Sequence, residues 1–104
     1  MGEPTAEEFL EFYKTYEEAC RKRDGEFFRK ILPSDIPQDE FNFVLTISQQ
    51  SAQAIDRSGV KPKVVQNGNK FEAVYEGDLG DGMTNLAVDF YYSDGAWLKY
   101  NPEV

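Results

Sequence analysis

An α+β domain, with three N-terminal helices packed on a curved four-stranded antiparallel sheet, is the fold class this 104-residue chain predicts. Two observations carry the prediction. Apolar residues recur at three- and four-residue steps up to Gly59, and alternate in steps of two after it. Turn signals then divide the alternating half into short strands that pair with their sequence neighbours. The length allows a single domain, residues 1–104.

The elements follow in order. Thr5 and Glu8 form a capping-box signature after Pro4. The first helix should run to about Arg23, with Phe9, Phe12, Tyr13, Tyr16, Ala19 and Cys20 as its apolar stripe. Glu7, Glu8, Glu11, Glu17 and Glu18 fall on its water side, and Arg21, Lys22 and Arg23 suit the negative end of its dipole. Asp24-Gly25 stops it. A short helix from Glu26 to Leu32 turns Phe27, Phe28, Ile31 and Leu32 inward and ends at Pro33. Asp35 is a candidate cap for a third helix, from Pro37 or Gln38 to about Arg57. Phe41, Val44, Leu45, Ser48, Ala52 and Ile55 form its stripe, and Ser58-Gly59 closes it.

Strands are expected at 61–66, 70–78, 83–92 and 96–101. Asn67-Gly68 is a two-residue hairpin signal, Leu79 to Gly82 a longer loop, and Ser93-Asp94-Gly95 a three-residue turn with Gly95 left-handed. Tyr92 opposite Ala96 would put Phe90 against Leu98, Val88 against Tyr100 and Asp89 against Lys99. Phe71 would pair with Phe90, Val64 with Phe71 and Lys63 with Glu72. Val64, Phe71, Ala73, Tyr75, Leu86, Val88, Phe90, Leu98 and Tyr100 then make a core face. Val65, Glu72, Val74, Glu76, Ala87, Asp89, Tyr91, Trp97 and Lys99 make a mixed outer face.

Composition removes several function classes. The net charge is −8, from 19 acidic and 11 basic residues, which makes nucleic acid and anionic membrane surfaces poor partners. No run is long and apolar enough to span a bilayer. No signal peptide is visible, and Ala6 breaks a myristoylation pattern. The polar opening Met1 to Pro4 fits either a native start or a chain trimmed behind a signal or lipid-anchor segment, and the compartment stays open. The lone Cys20 excludes an intramolecular disulfide, and with no histidine in the chain it has no obvious base to activate it. Asp78, Gly80, Asp81 and Asn85 do not have the spacing of a calcium loop, so they read as a solvated turn. No metal or cofactor is expected.

The layout of Phe9 to Leu32, with Tyr13 and Tyr16 before Arg23-Asp24-Gly25-Glu26-Phe27-Phe28, resembles the nuclear transport factor 2-like superfamily. So does the closing Phe90-Tyr91-Tyr92-Ser93-Asp94-Gly95-Ala96-Trp97-Leu98-Lys99-Tyr100. The nearest likeness is to small bacterial members of unknown function, many of them exported or lipid-anchored. The resemblance implies a cone with a pocket at its open end. Larger members carry a short strand between the second and third helices, where this chain has only residues 33–37.

Ketosteroid isomerase-like members place a tyrosine eight residues before the aspartate that ends the first helix, as Tyr16 and Asp24 stand here. A buried phenol there can stabilise an oxyanion. The general base and the second, protonated carboxyl have no counterpart in this chain: Asp35 and Asp39 read as helix-start acids, and Ala87 stands where the second donor belongs. No residue is therefore assigned a catalytic role. Tyr16, Tyr75, Tyr100 and Phe90 are the candidate lining of a small apolar pocket with polar tips. Trp97, Tyr91 and Val74, with Val65, are candidate contacts of a homodimer formed through the outer sheet face. The expected function is non-catalytic binding of a small apolar ligand or a protein partner. An isomerase-like enzyme using Tyr16 and a structural association module are the alternatives.

Overall fold

The computed structural model describes residues 3–80 and 82–103. Three helices precede a four-stranded antiparallel sheet. They are α1 (Ala6–Lys22), α2 (Gly25–Ile31) and α3 (Gln38–Ser58). The strands β1 (Lys63–Asn67), β2 (Lys70–Gly80), β3 (Met83–Ser93) and β4 (Ala96–Leu98) pair in sequence order. The α+β class with its helices first is therefore what the chain adopts. Met1, Gly2, Asp81 and Val104 lie outside the described residues, and with them the start of the chain and the tip of the β2–β3 turn.

The helix ends follow local chemistry. The Glu8 N–H donates to Thr5 Oγ1 at 3.1 Å, and the Thr5 N–H donates back to Glu8 Oε1 at 2.9 Å. The left-handed residue that ends α1 is Arg23, at φ 55°, and not Gly25. Gly25 opens α2 instead, because Asp24 turns its carboxylate to the Phe27 N–H at 3.2 Å and caps that helix. Asp35 does not cap α3. Pro37 occupies the N-cap without a side-chain bond, and Gly59 ends the helix at φ 72°.

The β2–β3 register is as expected, with Phe71 opposite Phe90 and Tyr75 opposite Leu86. Two register shifts in β2, beyond Tyr75 and again beyond Asp78, bend this pair. The Gly77 N–H donates to Asn85 Oδ1 at 3.0 Å, and both residues have positive φ. The bend turns Leu79 inward to 2% exposure, so it is a core residue rather than the start of a loop.

The first hairpin is displaced by one residue. Asn67 pairs with Lys70, so the turn is Gly68-Asn69, Val64 faces Ala73 and Lys63 faces Val74. Positive φ at the first central residue, Gly68, is the type II′ pattern. This sum of positions differs by two from the expected one, so every side chain keeps its face.

The last hairpin differs in a way that matters more. Ser93 pairs with Ala96, leaving the two-residue turn Asp94-Gly95, with φ of 49° and 79°. Both central residues have positive φ, as a type I′ turn needs, and an Asp-Gly pair is a favoured way to supply it. Tyr92 therefore faces Trp97 and Tyr91 faces Leu98. A one-residue change reverses the faces of the last strand. Trp97 moves from the expected outer face to the inner one, half-buried and packed on the core, with ring centroids 5.3 Å from Phe9, 5.5 Å from Phe12 and 5.1 Å from Phe71. Leu98 takes its place outside. Regular pairing stops at Leu98, so Tyr100 is neither in a strand nor among the core residues.

Candidate functional site

Aromatic rings fill the space between α1 and the sheet. Phe9, Phe71 and Phe90 are 0% exposed, and Phe90 lies 4.8 Å from the Tyr16 ring and 5.0 Å from Phe12. Such pairs add roughly 0.5–1.5 kcal/mol each beyond their burial. The space left between α1, α3 and Val88 is about 20 Å³, room for about one water. Phe90 is therefore core rather than pocket wall. Tyr16 is nearly so: it is buried beside Cys20 and Ser48, and burial raises its pKa. Burial also pushes the Cys20 thiol up to about 11, so this cysteine is protonated at neutral pH.

Open space lies on the other flank of α1, against the α3–β1 connection. One cleft of about 410 Å³ is bordered by Leu10, Tyr13, Lys14, Glu17 and Pro62. A second, of about 210 Å³, is bordered by Glu17, Arg21, Asp56, Lys61, Pro62 and Tyr75. Glu17 and Pro62 belong to both, so the two are neighbouring parts of one depression.

Beneath it runs a chain of polar groups. The Tyr75 hydroxyl donates to Glu17 Oε2 at 3.3 Å, and it lies 2.8 Å from the Tyr13 hydroxyl. Each phenol has one proton. If Tyr75 gives its proton to Glu17, Tyr13 must give its own to the Tyr75 oxygen, and the direction is Tyr13 to Tyr75 to Glu17. Tyr75 is fully buried, whereas Glu17 is half-exposed at the cleft. Burial raises the Glu17 pKa, against the opposing pull of Arg21 and the Tyr75 hydroxyl. Arg21 is itself engaged: its Nε and Nη2 donate to the Asp56 carboxylate at 2.8 and 2.9 Å. That fork holds the Asp56 pKa below its usual value.

Of the four expected ligand residues, Tyr75 alone belongs to this cleft. Tyr16 and Phe90 sit in the core, and Tyr100 is half-exposed with no place in the polar chain. Glu17 and Tyr13 were not anticipated as a pair. Their signal was the four-residue step that puts both on one side of α1. On the outer sheet face, Tyr91 and Val74 are half-buried, beside exposed Val65, while Trp97 is absent from it. Ion pairs cross that face, Lys63 to Glu76 at 2.7 Å and Lys70 to Asp89 at 3.5 Å. Among the described residues, no acidic or cysteine cluster converges as a metal site, and no helix is long and apolar enough to cross a membrane.

The Glu17 environment makes a testable statement. Its pKa is raised in the folded state from 4.5. A raised value means the native protein holds the proton longer, so this group costs stability as pH rises through the folded pKa. Glu17→Gln keeps an acceptor for Tyr75 and removes the charge. Melting curves from pH 4 to 7 should show the variant gaining stability over the parent as pH rises. A constant difference would contradict the assignment.

No protein-family model, curated protein or solved structure matches this chain.

Proposed function

We propose that this domain is a non-catalytic binding module for a small, mainly apolar molecule that carries a hydrogen-bond donor, an amine above all. The supporting observation is the Glu17 carboxylate, held from behind by Tyr75 and Tyr13 and presented to a cleft with Leu10 and Pro62 in its walls. Pockets of this kind are mostly apolar, with few polar groups that fix orientation. A partly desolvated carboxylate at the border of a cleft gains most from a cationic donor. The nuclear transport factor 2-like layout, with its ligand pocket at the open end of a cone, is part of the same proposal.

The isomerase-like alternative is weaker for a specific reason. The carboxylate stands beside Tyr75 and Tyr13, while Tyr16 is buried in the core away from it. Self-association through the outer sheet face is weaker too, because Trp97 does not contribute to it.

The test is a titration of phenethylamine and hexylamine against phenylpropionate and hexanoate. The amines should bind with Kd values around a millimolar or tighter, and the acids should not. Glu17→Gln should weaken amine binding about tenfold, the scale of one charged hydrogen bond. Equal binding of amines and acids, or none at about 10 mM, would remove the proposal.

A further inference from the structure

We propose that the free edge of β1, together with the exposed flank of α1, takes up an extended basic peptide as an added strand. The inference shares the Leu10–Pro62 cleft with the amine site, but it rests on the β1 edge and not on the Glu17 carboxylate. β1 is an outer strand, with β2 as its one neighbour in the sheet. In a two-residue hairpin the closing pair, here Asn67 and Lys70, exchanges its bonds across the ladder. Counting back by twos, Val65 and Lys63 also face β2. The N–H and C=O groups of Val64 and Gln66 therefore point away from the sheet, and no described residue bonds them. Such an edge is a template for another chain.

The helix supplies the second wall. Gln66 Nε2 reaches Glu3 Oε2 at 3.3 Å at one end, and Pro62 borders the same cleft as Glu17 at the other. α1 and β1 thus run in opposite directions, with Pro62, just before β1, in the wall of a cleft of about 410 Å³ that α1 otherwise lines. Leu10 lies within it, and Glu7 and Glu11 stand on its rim. An added strand turns alternate side chains toward the groove and away from it. Apolar side chains on the groove side would meet Leu10, and the long stems of the lysines between them would carry their charges back to the two glutamates on the rim. Lys14 is the cation of that rim, and it is already 3.7 Å from Glu11. With a net charge of −8, the chain favours a positive partner at long range as well. Pro62, which has no N–H, limits the pairing at the far end.

The probe is the end-blocked heptapeptide Lys-Val-Lys-Leu-Lys-Val-Lys, compared with its glutamate counterpart and with a version N-methylated at alternate residues. The basic peptide should bind, with the amide signals of Val64 and Gln66 shifting and becoming protected from exchange. N-methylation on the pairing side should weaken binding about tenfold, because it removes strand hydrogen bonds while keeping every charge. Gln66→Pro should do the same, and Gln66→Ala should not. Glu11→Lys, at an exposed position, should weaken binding without altering the melting temperature. Equal affinity of the methylated peptide would reduce the contact to surface charge and overturn the proposal, even if Gln66→Pro failed to fold. Binding of the glutamate peptide, or a concentration-dependent dimer that protects the same amides without peptide, would overturn it too. Amine binding could survive any of these results, since it rests on the Glu17 carboxylate and not on the β1 amides.

Discussion

Trp97→Ala should destabilise the protein by about 3 kcal/mol, the lower range for deleting a large aromatic from a core. For a domain of this size that lowers the melting temperature by roughly 12–24 °C. The side chain packs against Phe9, Phe12 and Phe71 and meets Tyr92 edge-on at 4.8 Å. Four rings lose a partner at once, and β4 has three residues with which to hold its register. Light scattering should show no change in mass, since the indole is not on the outer sheet face. A variant with unaltered melting and a changed oligomeric state would put Trp97 back on the outside.

Alkaline titration should unfold the protein cooperatively above pH 10. Burial raises the pKa values of Tyr13, Tyr16 and Tyr75 above the ordinary phenol value of 10.0, and Cys20 rises to about 11. The native state therefore holds protons that the unfolded chain releases. Stability from these groups is intact below the unfolded values, 9.0 for the thiol and 10.0 for the phenols, and falls as pH climbs toward the folded values. Lys99 opposes the trend. Its Nζ donates to the Asp89 carbonyl at 3.0 Å and stands 4.7 Å from the Phe90 ring centroid, and burial lowers its pKa. A lowered lysine pKa adds stability as pH rises toward 10.5. Three phenols and a thiol outweigh one amine, so the net slope is downward above pH 10. Absorbance at 295 nm should show about half of the six tyrosines ionising only with loss of the circular-dichroism signal. Six tyrosines titrating together near pH 10, ahead of unfolding, would contradict the buried Tyr13–Tyr75 pair.

The fold was legible because its signals are local. Thr5 and Glu8 fix the start of α1, the alternation from 70 to 92 fixes the β2–β3 register, and Gly59 marks the change of period. The face of the last strand was not legible. Ser93-Asp94-Gly95 reads equally as a three-residue turn or as the two-residue Asp-Gly turn, and the choice reverses Trp97, Leu98 and Lys99. Alternation could not decide, because Trp97 and Leu98 are both apolar neighbours. The site was legible only in Tyr75. Glu17 shares its helix with four other glutamates that read as a solvated face, and only tertiary packing against Tyr75 sets it apart. Tyr16 stands eight residues before Asp24, and Asp24 is spent on capping α2.

The most direct test of the central claim, that ligands meet this domain outside its filled core, is amide and side-chain chemical-shift mapping with phenethylamine. Perturbations should appear at Tyr13, Glu17, Tyr75 and residues 60–62, with Phe9, Phe90 and Trp97 unmoved. Shifts centred on Phe9, Phe90 and Trp97 would mean that the interior opens to hold the ligand, and would contradict it.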